Sequence, residues 1–330
     1  MINQSTLATK YRPSVFEDVC EQDSIKTILR NQLNSKTFKH AYLFSGPAGC
    51  GKTTCARIFA NEINSGFGNA LEMDAASNSG VDDVRKIIQQ AQTQSIDSEY
   101  KVFIIDECHA ISNTGWQAFL KLIEEPPAKS IFIFCTTDAQ KIPATILSRL
   151  QRFSFNRIST FTIYENLVKI VDFEALKRSK QMDDALYYIA ELANGGMRDA
   201  ITLLDKCLSF KKDFSKDDVA NIVGEVAQSD LTEFISCLYN ERKEGAIEMV
   251  ETFYKNGINL KQFINQLYVE VLNTCIRNIK ENRESSIFLM RDISQLKADI
   301  KWETNPKAML EVWILLRGVA DANDRTEETD

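Results

Sequence analysis

The run Gly46-Pro47-Ala48-Gly49-Cys50-Gly51-Lys52-Thr53, with Thr54 directly after it, fits the pattern G-x-x-x-x-G-K-[ST] at every fixed position. A loop of this kind holds phosphate. Its glycines let backbone N–H groups close around phosphate oxygens, a lysine here (Lys52) reaches the β- and γ-phosphates, and the hydroxyl after it (Thr53) binds Mg²⁺. A second chemistry-bearing pair, Asp106-Glu107, follows the apolar run Phe103-Ile104-Ile105. Phosphate-loop hydrolases need a carboxylate at the end of a neighbouring strand to hold Mg²⁺, and a base to orient the attacking water; Asp106 fits the first task and Glu107 the second. Thr136-Thr137-Asp138 ends the next apolar run, where a hydroxyl could bond the γ-phosphate or the water. Ser148-Arg149 offers an exposed arginine able to stabilise phosphoryl charge in a neighbouring subunit's site. Gly195-Gly196-Met197-Arg198-Asp199-Ala200 puts another arginine, Arg198, at a helix start.

These residues need a scaffold, and the pattern of the chain supplies one. Short apolar runs at Ala41–Ser45, Leu71–Asp74, Lys101–Asp106, Ile131–Thr136 and Arg152–Phe155 read as strands. The helical spacing between them implies βαβ units and a mainly parallel sheet: an α/β fold. Residues 54–60 read as the helix whose N-terminus favours the anion. Thr114-x-x-Gln117 reads as a capping box opening a helix over Gly115–Glu125, which Pro126-Pro127 stops, and Ser79-x-x-Asp82 as one opening a helix through Val84, Ile87 and Ile88. From about residue 158 the strand signal disappears. Stripes such as Ala185, Ile189, Leu192; Phe263, Leu267, Val271, Leu272; and Leu310, Ile314, Leu315, Val319 read as helix packing faces, with Gly224 a joint between two helical parts. The expected division is 1–157 for nucleotide, 158–224 and 225–320 as two helical domains, and 321–330 as an acidic tail.

Composition bounds the rest. With 330 residues and 44% hydrophobic content the chain can bury real cores. Its net charge of −7 excludes bulk charge as a means of binding nucleic acid, so any such contact needs a local surface or helix N-termini. Eight scattered cysteines and two histidines give neither a C-x-x-C pair nor a zinc set, and read as reduced thiols. No signal peptide or membrane-spanning run is expected.

Together the motifs resemble the AAA+ clamp-loader ATPases, in particular the bacterial DNA polymerase III gamma/tau family. Lys10-Tyr11-Arg12-Pro13-Ser14-Val15-Phe16-Glu17-Asp18-Val19 is similar to that family's N-terminal K-[YW]-R-P-x-x-F-x-D-V segment. His40–Gly46 leading into the loop, Asp74-Ala75-Ala76-Ser77-Asn78, Leu122–Pro127, Thr136-Thr137-Asp138, Ser148-Arg149 and Gly196–Ala200 follow in the family's order. The resemblance implies a parallel five-stranded AAA+ domain, a helical lid and a helical collar that oligomerises a ring, pentameric by analogy, with homo- or heteromeric partner subunits. It implies ATP and Mg²⁺ as cofactors. It makes Thr136 or Thr137 sensor 1, with Thr137 preferred, Arg149 a finger acting on the adjacent subunit's ATP, and Arg198 sensor 2, beside Met197. Ala8, Arg12 and Val19 would line the adenine and ribose side. The implied activity is ATP-driven opening of a sliding clamp and its loading at primer–template DNA, in the cytoplasm of a bacterium, encoded by its chromosome or by a phage.

Two departures stand out. The family's four-cysteine zinc module is replaced by Asn64–Leu71, which holds no cysteine, so no zinc is expected, and Glu21 stands where the family commonly has glycine. DNA would be held by its backbone, at helix openings around Asn78 and Ser79, with Arg85 one turn on, and at Asn113. The competing readings are another AAA+ DNA motor or helicase loader, and a non-hydrolysing structural subunit of the same ring. Retention of Lys52, Thr53, Asp106 and Glu107 argues against the last.

Overall fold

The computed structural model describes residues 6–78, 80–93, 98–277 and 284–317. Ser79, Val319 and the acidic stretch 321–330, for which expectations were given above, lie outside them. The chain divides into two compact units, Met1–Asp213 and Phe214–Asp330.

In the first unit the elements run α1 (Leu7–Lys10), α2 (Asp23–Ser35), β1 (Ala41–Ser45), α3 (Lys52–Ile63), β2 (Leu71–Asp74), α4 (Val81–Ala91), β3 (Lys101–Asp106), α5 (Asn113–Glu124), β4 (Ser130–Thr136), α6 (Ala144–Leu147), β5 (Gln151–Ser154), α7 (Thr160–Phe173), α8 (Lys180–Leu192) and α9 (Met197–Phe210). The five strands form one parallel sheet in the order β2-β3-β4-β1-β5. Strands covered on both faces must be apolar on both faces, as the three inner strands β3, β4 and β1 are, whereas the edge strands β2 and β5 are largely exposed. Tyr42, Phe44, Ile104 and Ile133 point to one core with Leu29 of α2 and Cys55 and Phe59 of α3. Leu43, Phe103, Ile105, Phe132 and Phe134 point to the other, with Val84 of α4 and Trp116 and Phe119 of α5. Fully burying one such aromatic is worth roughly 2–3 kcal/mol, so the sheet is a rigid base. Its register aligns Ser45 with Thr136 and Asp74 with Asp106, which gathers the carboxyl ends of β1, β3 and β4 along one rim. Ligands of open parallel sheets bind at that rim.

Two helix starts differ from expectation. The cap of α5 is Ser112, whose hydroxyl accepts from the Gly115 N–H at 3.2 Å, rather than Thr114. The helix begins two residues early, at Asn113, and its last residue is Glu124. Helix α4 starts at Val81 after Gly80 with no side-chain cap. Strands β4 and β5 each begin one residue before their expected starts, at Ser130 and Gln151.

The second unit is helical: α10 (Lys216–Val223), α11 (Gln228–Tyr239), α12 (Lys243–Lys255), α13 (Leu260–Arg277), α14 (Glu284–Asp299) and α15 (Pro306–Leu316). Gly224 closes α10 at φ +73°, a left-handed turn that glycine makes without strain. Phe234, Phe253 and Phe263 meet edge-on or tilted in its core, 5.0 Å separating the first and third rings. Leu310 and Ile314 are buried there, whereas Leu315, expected in the same stripe, is exposed. No helix among the described residues is long and apolar enough to cross a membrane.

Candidate nucleotide site

The loop after β1 is shaped by its glycines. Gly46, Gly49 and Gly51 have φ of +149°, +71° and +100°, values that side chains resist. Two of them also admit no side chain. A Cβ on Gly46 would lie 2.4 Å from the Phe155 carbonyl oxygen, and one on Gly49 would lie 2.9 Å from the Gly196 Cα. The loop therefore packs backbone against backbone on the turn before α9, sealed by the Met197 N–H donating to the Gly49 carbonyl at 3.0 Å. Lys52 is 6% exposed, and its ammonium donates to the carbonyls of Gly46 and Pro47 at 2.9 and 2.7 Å. Cys50, inside the loop, has its thiol pushed up by burial and stays neutral. Gly51 caps α3, so the helix's free N–H groups open toward the loop.

Across the rim, Thr53 donates to Asp106 Oδ2 at 2.8 Å, joining the loop to the end of β3. Glu107 takes a left-handed φ of +46°, which turns its side chain off the strand line. Its Oε2 accepts from the Thr137 hydroxyl at 3.1 Å and lies 3.2 Å from His109 Nδ1. Thr136 is fully buried; its hydroxyl accepts from the Asp138 N–H at 3.0 Å and lies 3.1 Å from the same His109 nitrogen. Of the two threonines, the one in contact with Glu107 is thus Thr137.

A cavity of about 820 Å³ opens between these groups and the helices that follow the sheet. Ala48 to Thr54 form its floor, and Asp106 and Glu107 form one wall. Ala8, Arg12 and Val19 line the opposite side, and Met197 and Arg198 the end toward α9. Burial lowers the pKa of Arg12, and the positive charges of Arg57 and Arg198 lower it further. Arg12 and Arg198, both lining the cavity, favour an anion there, while Arg57 is already paired with Glu72 at 2.7 Å. Glycine-shaped N–H groups, a buried lysine and a hydroxyl–carboxylate pair suit a triphosphate with Mg²⁺.

Arg149 does not face this cavity. Its guanidinium lies at the far edge of β5's approach, 2.6 Å from Glu124 Oε1 and 2.6 Å from the Thr145 carbonyl. The Asn78 N–H donates to the Asp74 carbonyl at 3.0 Å, and Arg85 pairs with Asp82 at 3.0 Å; Asn113 is exposed as the first residue of α5.

Three contributors escaped the sequence reading. His109 was one. Glu174 accepts from both Lys10 and Tyr11 at 2.6 Å, tying the segment beside the cavity to the end of α7 across more than 160 positions. Gln22 exchanges two hydrogen bonds with the Asn156 backbone, at 2.8 and 3.1 Å. Glu21 was noted only as a departure. It sits at φ +54°, the conformation glycine adopts freely, and its carboxylate accepts the Ser159 N–H at 2.9 Å, which compensates for the missing glycine. Burial opposes its charge, but the hydrogen bonds from Ser159 and Thr162 outweigh this and lower its pKa.

Sheet order, rim chemistry and the helices after β5 define the class: a phosphate-loop protein of the AAA+ fold. Solved structures agree. The Thermotoga maritima RuvB Holliday junction branch migration motor superposes with a TM-score of 0.54 at 19% identity, over 70% of this chain and 80% of that one. The family model for DNA polymerase III, delta subunit, matches residues 21–80 and 69–159. The chain is 34% identical to DNA polymerase III subunit tau of Bacillus subtilis strain 168, over 92% of its own length and 62% of that protein. It is 34% identical to the gamma/tau subunit of Mycoplasma genitalium, over 80% and 48% of the two chains. With that of Mycobacterium tuberculosis H37Rv it shares 37% identity over 62% and 39%. It thus spans less than two thirds of the length of these relatives. The chain belongs to the DNA polymerase III gamma/tau family. Membership of this AAA+ family implies a nucleotide, usually with Mg²⁺.

Proposed function

We propose that this chain is an ATP-hydrolysing clamp-loader subunit that helps open a DNA sliding clamp and close it at primer–template junctions during replication. The observation that carries the reading is the division of labour around the cavity. The phosphate loop, the Thr53–Asp106 pair, Glu107 and Arg198 converge within one chain, while Arg149 lies outside, available to a neighbour.

ATP with Mg²⁺ would supply the electrophilic phosphorus and its charge-neutralising ion. The loop Gly46–Thr54 would cradle the phosphates through the N–H groups of Ala48, Gly49, Cys50, Gly51, Lys52, Thr53 and Thr54; Pro47 has no N–H, and that of Gly46 is held by the Thr136 carbonyl at 3.2 Å. Lys52 would exchange its loop carbonyls for phosphate oxygens. Thr53 and Asp106 would hold the metal. Glu107, steadied by Thr137, would orient and deprotonate a water. Arg198 would meet the γ-phosphate from its own chain, with Met197 beside it, and Arg149 would act from the next subunit. Ala8, Arg12 and Val19 would receive the base and ribose. No zinc is needed.

In this reading 1–157 is the nucleotide domain, 158–224 a lid, 225–320 a ring-forming collar and 321–330 an acidic tail. Partner subunits complete a ring, pentameric by family analogy, around DNA held through its backbone, where Asn78, Ser79, Arg85 and Asn113 are the candidate contacts. The protein would work in the bacterial cytoplasm. ATPase assays of the assembled ring test the proposal: turnover should rise severalfold when clamp and primed DNA are both present. Turnover indifferent to both would point to another AAA+ motor, and binding without turnover to a scaffold subunit.

A further inference from the structure

We infer that His109 is a positioning residue for Glu107, fixing which carboxylate oxygen faces the water to be activated. The inference rests on the ATPase reading above. Glu107 is half-buried on the cavity wall, and both of its side-chain contacts fall on one oxygen: the Thr137 hydroxyl at 3.1 Å and His109 Nδ1 at 3.2 Å reach Oε2. Among the described residues Oε1 has no hydrogen-bond partner. With the Thr137 hydroxyl donating to Oε2 and His109 Nδ1 beside that same oxygen, Oε1 is the oxygen left to face a water, which is what a base requires.

The protonation pattern follows from the partners. An ionised carboxylate only accepts, so a hydrogen bond from His109 to Glu107 requires the proton on Nδ1. That nitrogen is also 3.1 Å from Thr136 Oγ1, which accepts from the Asp138 N–H at 3.0 Å and is hydrogen-bonded to the buried Cys108 thiol. Burial pushes that thiol far up, so it is neutral. The imidazole is thereby wedged between a fixed threonine at the end of β4 and a carboxylate whose backbone is left-handed. The proposed contact thus calls for neutral His109 as the Nδ1–H tautomer, the less favoured one in free histidine. His109 also sits in the one-turn helix Cys108–Ala110, three residues ahead of the Ser112 cap of α5, so a shift of that helix start would move it.

The test uses both a spectroscopic and a kinetic readout on the full chain in its assembly. The chain has two histidines, so ¹⁵N-histidine labelling gives two rings to follow, and His40→Gln assigns them. The expected result is a neutral His109 protonated at Nδ1, with its ring-nitrogen shifts displaced by Glu107→Gln and those of His40 unmoved. Kinetically, His109→Ala should lower kcat about tenfold, a fraction of the 10²–10⁴ that a positioned base contributes, with nucleotide affinity and melting temperature nearly unchanged. His109→Asn, whose amide N–H can stand where Nδ1–H stands, should recover most of the loss. A neutral Nε2–H tautomer indifferent to Glu107→Gln would overturn the contact. Parent kcat in His109→Ala, or equal loss in His109→Asn, would overturn the role. If the parent assembly shows no turnover, the ATPase reading falls, and with it the catalytic role of His109, while the labelled rings still decide the contact.

Discussion

Around the phosphate loop, opposing groups find one another within the chain: Lys52 the loop carbonyls, Thr53 Asp106, Glu107 Thr137 and His109. The rim at Arg149 differs. There an arginine 39% exposed is held by the equally exposed Glu124 and by a backbone carbonyl, away from the cavity. A preorganised cluster under partial burial can do chemistry where charge develops. A guanidinium on the surface can do so only in a site that another molecule brings to it. Under the proposed function, one protomer carries a nucleotide seat and a base, while its Arg149 serves a neighbour's phosphates rather than its own. On that reading turnover is a property of the assembly, while binding remains a property of the chain.

The first way to break that contrast is Arg149→Ala. By analogy with arginine fingers it should lower ring turnover by about 10³ or more while leaving nucleotide affinity intact. In rings mixed with Lys52→Ala subunits the defect should follow the neighbour; a defect confined to the mutated subunit's own site would erase the comparison. Glu107→Gln should cost about 10²–10⁴ in turnover, again with binding retained, measured by single-turnover hydrolysis beside equilibrium titration. Gly49→Ala sharpens the cavity side. Its methyl would meet the Gly196 backbone at 2.9 Å in a left-handed residue. Strain of this kind costs on the order of 1–3 kcal/mol, so a lower melting temperature and weaker nucleotide binding should appear together. Smallest is Glu124→Gln. The pair it breaks is well exposed and worth under about 1 kcal/mol, so denaturant midpoints should scarcely move, while Arg149 keeps its bond to Thr145.

Much of the cavity could be read before any coordinates because its chemistry is local. The loop, the acid pair and the strands β1, β2 and β3 are contiguous runs whose patterns mark their own ends. The threonine question stayed open in the sequence because Thr136 and Thr137 are adjacent; β4 ends at Thr136, which is fully buried, and Thr137 lies just past it, exposed and in contact with Glu107. His109 was hidden for a related reason: its partner is chosen by the left-handed turn at Glu107, which no periodicity announces. Glu174 could not be found at all, since its bonds to Lys10 and Tyr11 cross most of the first unit. The α5 cap was misplaced by two residues because Ser112 and Thr114 both precede an apolar run, and the hydroxyl with the Gly115 N–H in reach prevailed. The second unit was legible only as helices, because its stripes mark packing faces without chemistry.

The central claim is that the glycine loop and the Thr53–Asp106 pair together form a nucleotide seat. Its most direct measurement is a structure of the assembled protein soaked with Mg²⁺ and a non-hydrolysable ATP analogue. The account expects the triphosphate along Gly46–Thr54, Lys52 withdrawn from the Gly46 and Pro47 carbonyls, and the metal beside Thr53 and Asp106. A nucleotide bound elsewhere with Lys52 still on those carbonyls, or Asp106 turned away from the metal, would contradict it.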